Sequence, residues 1–164
     1  MITRSIVTVV ALASLPFGAS AAEIPAQSFA EKAAQSDMFE VEAAKVVLAE
    51  GASEEVRIFA GDMVKDHHRS TDALKEAAAK DGVTLPADMG DDLRKKLESL
   101  KPLRGPALDA AYVSTQVSVH TEAVALFDAY SKDGDRKALK SFAQITYPTI
   151  RMHLIRVRNF NVEN

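Results

Sequence analysis

The helical patterning of this chain is broken three times, twice by a few residues and once by about 24, and these unequal breaks restrict its fold more than any other feature. Apolar residues recur at helical spacing from Pro25 to Gly51, Ser53 to Asp81, Pro106 to Lys132 and Arg136 to Phe160. In the second stretch the stripe Val56, Phe59, Ala60, Met63, Val64, His67, Thr71, Leu74 holds for several turns. Gly51, Gly82 and the run Lys132-Asp133-Gly134-Asp135 act as stops. Ser28 and Glu31 have capping-box spacing at the start of the first helix, Ser53 opens the second, and Pro106 suits a first helical turn. No alternating strand pattern and no repeat interrupts this reading.

Helices joined by very short turns must be antiparallel neighbours, so the first pairs with the second and the third long helix with the last. The connector between the pairs, Gly82 to Gly105, holds Pro86, Gly90 and Pro102 around a short helical piece, Asp91 to Leu100. It far exceeds the roughly 2–8 residues usual between bundle helices. A helix of about 25 residues is ~38 Å long, a height that such a connector can climb. The expectation is an all-α, ferritin-like four-helix bundle with one long crossover containing a short helix. It spans residues 25–161, with long helices at about 26–50, 54–81, 106–132 and 136–160 and the short one at 91–100.

Residues 1–21 read as a cleaved signal peptide: Arg4 supplies a positive charge, Ser5 to Leu15 is mostly apolar, and Ala19-Ser20-Ala21 is a small-residue cleavage site. The apolar run is shorter than the roughly 17–25 residues needed to cross a bilayer, and no second stretch of that length follows. The expected location is periplasmic or secreted, with no transmembrane helix in the mature protein. The absence of cysteine excludes disulfides, thiolate metal sites and cysteine nucleophiles. A net charge of −3, no tryptophan and 6% aromatic residues point away from nucleic acid as a partner.

All four histidines, His67, His68, His120 and His153, fall on long helices, and three of them continue apolar stripes. On the first helix the inward stripe is Ala33, Asp37, Glu40, Val41, Ala44, Leu48, so carboxylate faces inward as well. At ~1.5 Å per residue from the helix ends, Glu40 lies ~21 Å up the bundle, His67 ~18 Å, His120 ~17 Å and His153 ~26 Å. The ~9 Å spread is wide for one coordination sphere, and Pro148, just over a turn before His153, can shift that residue. The metal reading takes Glu40, His67, His120 and His153 as ligands of a single transition metal (zinc, copper or iron), with Asp66 supporting them from behind. The alternative is a buried hydrogen-bond network through Glu40, His67, Gln116, His120 and His153 in a non-catalytic envelope protein.

Positions three before the inward histidines are Val64, Val117 and Ile150, so the Glu-x-x-His pairs of di-iron bundles are missing. A ferroxidase or di-iron oxidase is therefore not expected, and nothing suggests nucleophilic catalysis. The last helix carries Arg136, Lys137, Lys140, Arg151, Arg156 and Arg158 with no acid among them. Their structural reading is attraction to acidic neighbouring helices. Their functional reading is a dock for an envelope protein or an anionic polymer.

Several short motifs are shared with a known family. Phe39-Glu40-Val41-Glu42, Val56-Arg57-Ile58-Phe59-Ala60, Met63-Val64-Lys65-Asp66-His67, Ala111-Tyr112-Val113 with Gln116 and His120, and Phe142-Ala143 with Pro148, Ile150, His153 and Leu154 occur in order. In this the chain resembles the exported bacterial "domain of unknown function 4142" proteins from about Phe29 to Val157. The resemblance implies a ferritin-like bundle behind a signal peptide and no established activity. It marks Glu40, Asp66, His67, His120, Pro148 and His153 as motif positions.

Overall fold

The computed structural model describes residues 24–160, so the expected signal peptide at 1–21 lies outside the described residues. Five helices follow in order: α1 (Ala26–Glu50), α2 (Glu54–Asp81), α3 (Gly90–Leu100), α4 (Gly105–Asp133) and α5 (Lys137–Arg158). Among the described residues there is no strand, and no helix is long and apolar enough to cross a membrane. The protein is an all-α bundle.

Local chemistry explains most helix ends. Ser53 caps α2 by accepting the Val56 N–H at 3.3 Å, and Gly82 closes it in the left-handed conformation at φ 69°. Pro106 occupies the first turn of α4. The start of α1 differs from the capping-box expectation. Pro25 is the N-cap, and its carbonyl accepts from Phe29 at 3.0 Å, so Ser28 already lies inside the helix and makes no cap bond. Proline needs no donor there, and its fixed φ of −62° delivers the chain into the first turn without a side-chain cap.

Two side chains at opposite ends show how the helices are aligned. Asp109, near the start of α4, accepts the backbone N–H groups of Ala52 (3.1 Å) and Ser53 (2.7 Å), so α4 begins where α2 begins. Asp81, the last residue of α2, accepts the Leu139 N–H at 2.8 Å, so α5 begins where α2 ends. Helices α2 and α4 are therefore parallel, and the chain must cross the full height of the bundle between them. It does so along α1. Gln27 donates to the Thr84 carbonyl at 2.7 Å, Gly90 lies beside Gln35, and Arg104 pairs with Glu50 at 2.9 Å. Between these points α3 buries Leu97 and Leu100. This is the long crossover with its short helix.

The α1–α2 turn is tight enough to require glycine. A Cβ at Gly51 would lie 2.7 Å from Asp109 Oδ1 and 2.8 Å from the Val47 carbonyl. The aspartate that aligns α4 can reach the turn because no side chain stands in its way.

The core is in two parts. Toward the α1–α2 turn pack Phe39, Val47, Phe59, Met63, Leu100, Leu108, Tyr112 and Val157. Toward the other end pack Phe29, Leu74, Phe127, Tyr130, Leu139, Phe142 and Ile150, with Phe29 stacked on Tyr130 at 3.9 Å. Between these clusters lies a buried polar layer: Asp37, Glu40, His67, Gln116, His120 and His153.

Asp109 is 3% exposed and carries two backbone hydrogen bonds, so its loss leaves two helix-end donors without a partner. Hydrogen bonds to a charged group contribute ~1.5–3 kcal/mol. Asp109→Ala should lower the stability read from urea unfolding by about that amount, through a reduced midpoint at unchanged slope. An unchanged midpoint would show that water replaces the carboxylate at no cost.

Candidate metal centre

Three long helices each send one histidine to the middle of the bundle. The imidazole centroids form a nearly equilateral triangle: His67–His120 6.0 Å, His67–His153 5.9 Å and His120–His153 5.5 Å. The ~9 Å height spread expected from helix ends is therefore absent, and the Asp81–Leu139 contact explains why. Fourteen residues separate His67 from Asp81, and fourteen separate Leu139 from His153. Each histidine thus stands ~21 Å from the same point of contact. The sequence estimate began α5 at Arg136, three residues before the one that is level with the end of α2.

Every ring is held from behind through one nitrogen. His67 Nδ1 lies 2.8 Å from Asp37 Oδ1, His120 Nδ1 lies 3.1 Å from the Gln116 carbonyl, and His153 Nε2 lies 3.1 Å from Asp66 Oδ2. A carboxylate and a carbonyl only accept, so in each case this nitrogen carries the proton and donates it. In a neutral ring the other nitrogen then holds a lone pair. Those nitrogens, His67 Nε2, His120 Nε2 and His153 Nδ1, are buried and have no hydrogen-bond partner. One nitrogen from each ring lies within 4.8 Å of one from each of the others. Three basic atoms converging in a core are unfavourable on their own and favourable around a cation.

Electrostatics separate the three rings. Burial opposes charge on His67, but the hydrogen bond and charge of Asp37, with help from Glu40 and Asp66, outweigh it and raise the pKa. Burial, together with the charges of His67 and His153, pushes His120 down to about 3. His153 is lowered by burial and by His67, with Asp66 acting in the opposite direction. Of the three rings, His67 therefore holds a proton most readily, and His120 and His153 favour the neutral form.

Glu40 lies beside the three histidines in the same polar layer. Its carboxylate is buried, accepts from Gln116 Nε2 at 2.6 Å, and approaches His120 Nδ1 at 3.6 Å. The cluster of three comprises His67, His120 and His153 without Glu40. The approach to His120 is not an ion pair, because burial keeps that ring neutral. Burial also raises the Glu40 pKa to about 7, with the His67 charge and the Gln116 hydrogen bond pulling it down. Asp37, one turn earlier on the same buried face of α1, is the carboxylate that holds His67.

Asp37 was named on the inward stripe but given no role, although it lies three residues before Glu40 on the same helical face. The structure makes it the partner of His67, and Thr71 Oγ1 donates to its other oxygen at 3.3 Å. Asp66 backs His153 across the α2–α5 interface, instead of its chain neighbour His67. The fourth histidine, His68, is exposed. Tyr112 is buried without a partner for its hydroxyl. On α5, Arg156 pairs with Asp62 of α2 and sits 5.2 Å over the Phe59 ring, so this cation serves helix packing. The acid that it meets is on α2, not on the acidic α1.

A family model described as a domain of unknown function, DUF4142, matches residues 13–160. The chain belongs to the DUF4142 family. Among curated proteins, no sequence matches it. Two solved structures are similar in fold. One is a DUF305 protein from Streptomyces coelicolor, described as a candidate secreted protein. It is 16% identical with a TM-score of 0.67, over 81% of this chain and 90% of that one. The other, a DUF305 fragment from Deinococcus radiodurans, is 14% identical with a TM-score of 0.67, over 82% of this chain and 96% of the fragment. At these identities the likeness concerns the fold alone, so the chemistry of this DUF4142 chain must be read from its own residues.

The Glu40 pKa, raised from 4.5 to about 7, means that the folded protein holds a proton there that the unfolded chain releases. Its contribution therefore favours folding least above pH 7, and stability from this group declines as pH rises from about 4.5 to 7. Glu40→Gln can still accept from Gln116 and has nothing to ionise. The melting temperature of Glu40→Gln relative to the parent should climb between pH 5 and 8, in ~0.5-unit steps of a chelator-treated thermal series. A flat difference across that range would show that Glu40 ionises normally.

Proposed function

We propose that this DUF4142 protein binds a single transition-metal ion through His67 Nε2, His120 Nε2 and His153 Nδ1. The supporting observations are that each ring brings one nitrogen within 4.8 Å of the other two, and that each ring has one nitrogen hydrogen-bonded and the other buried without a partner. Metal-bound histidines characteristically donate their second N–H to a carboxylate or a carbonyl, which fixes the tautomer and strengthens the donor. An all-imidazole donor set suits zinc, copper or iron and is unsuited to magnesium or calcium. Glu40 supports the site through Gln116 and the His120 side of the layer, and Asp37 and Asp66 orient His67 and His153.

The role that follows is metal binding outside the cytoplasm. The signal-peptide pattern of residues 1–21 supports export, as does the fold shared with the Streptomyces coelicolor protein described as a candidate secreted protein. The competing reading, a purely structural polar network, draws on the Asp37–His67 pair. It gives no partner to His120 Nε2 or His153 Nδ1.

Elemental analysis of tag-free protein purified from its native compartment tests the proposal. About one metal ion per chain is expected, with none in the triple variant His67→Ala, His120→Ala, His153→Ala. Asp37→Asn and Asp66→Asn should each weaken affinity by ~10–100-fold without abolishing binding. Metal should also raise the melting temperature of the apo protein in a concentration-dependent way. Equal metal content in parent and triple variant would overturn the assignment.

A further inference from the structure

The two sides of the histidine triangle are not equivalent. On the side toward the α1–α2 turn it meets packed core, including Phe59, Met63 and Tyr112. On the opposite side lies a cavity of about 30 Å³ whose lining includes the three histidines. The helix directions show where it extends. Ala33 and Ser36 precede Glu40 on α1, Ser70 follows His67 on α2, Ala123 and Phe127 follow His120 on α4, and Thr146 and Thr149 precede His153 on α5. With α1 and α5 running one way and α2 and α4 the other, all of these positions fall on the same side of the triangle, about one or two turns away.

The lining is graded. Ala33 and Phe127 are buried, whereas Ser36, Ser70 and Thr146 are half-buried and Thr149 is exposed. Side chains bearing hydroxyls therefore supply the more exposed part of the lining, to which Asp37, Glu40 and Asp66 also contribute. A volume of 30 Å³ is about one water molecule's share of the liquid. Three ligands supplied by the protein also leave one position of a tetrahedral ion free, the arrangement found in metal sites that take an exogenous ligand.

Building on the metal reading above, we infer that the bound ion keeps an open coordination position facing this cavity, and that the position accepts a small anion or dipolar molecule of one to three heavy atoms. The ligand donates an electron pair to the ion, with no change of oxidation state required. The hydroxyls of Ser36, Ser70, Thr146 and Thr149 can donate hydrogen bonds to its outer atoms. The small side chains Ala33 and Ser70 keep the space open. Phe127 and Ile150 add buried apolar wall, which limits the room for a larger ligand.

Azide added to Cu2+-loaded protein is the probe, followed by its charge-transfer absorption and by the electron paramagnetic resonance of the copper. Saturable one-to-one binding is expected. Ala33→Val and Ser70→Val narrow the cavity from two different helices, α1 and α2. Each should raise the azide dissociation constant at least tenfold while leaving copper stoichiometry at one and copper affinity within about threefold. Circular dichroism identifies a variant that fails to fold, and the second wall supplies an independent test. If copper binds and azide leaves its spectrum unchanged, or binds parent and both variants alike, the open position is refuted and the metal site stands. If the parent binds no copper, zinc or iron, both fail together.

Discussion

A polar layer across the middle of a hydrophobic bundle is the constraint on which the rest of this structure depends. Asp37, Glu40, His67, Gln116, His120 and His153 divide the core into two apolar clusters, and none of them reaches bulk water to any extent. Buried polar groups cost a few kcal/mol when left alone, so their number forces a specific pairing. Four helices must stand in one register for Asp37 to meet His67, Gln116 to meet Glu40 and His153 to meet Asp66. A slip of any one of them by a turn, ~5.4 Å, would break at least one of these bonds.

The end contacts and the polar layer are therefore parts of one arrangement. Asp81 on the Leu139 N–H and Asp109 on the α1–α2 turn align helix ends, and the same alignment brings the imidazoles within 6.0 Å of one another. Apolar packing by itself tolerates sliding, because one methyl group replaces another at little cost. Directional hydrogen bonds to backbone donors do not. The three remaining imidazole nitrogens are left without hydrogen-bond partners by this arrangement, on rings clustered at one level. The metal ion proposed above would supply those nitrogens with a partner.

Much of the fold was legible in the order of residues. Gly51, Gly82 and Gly134 mark where helical spacing stops, and the length of the segment between Gly82 and Gly105 favoured a crossover over a connector folded back locally. Those inferences rest on periodicity and chain reach, which are local. The inward faces of His67, His120 and His153 could likewise be read from their stripes. The roles of the carboxylates could not. Asp66 and His67 are neighbours in the chain, yet Asp66 serves His153, 87 residues away. Asp37 and Glu40 share one face of α1, and nothing in their spacing says which of them stands behind an imidazole and which turns to Gln116.

The sequence by itself therefore determined the class, the crossover and the set of residues that face inward, because helical period and loop length depend only on neighbouring residues. Tertiary structure alone decided which nitrogen of each histidine is held and which is left, because that choice belongs to a partner on another helix. It also decided that the histidines share one level, through two aspartates at the bundle ends whose partners are backbone N–H groups. Backbone donors leave no mark in the residue order.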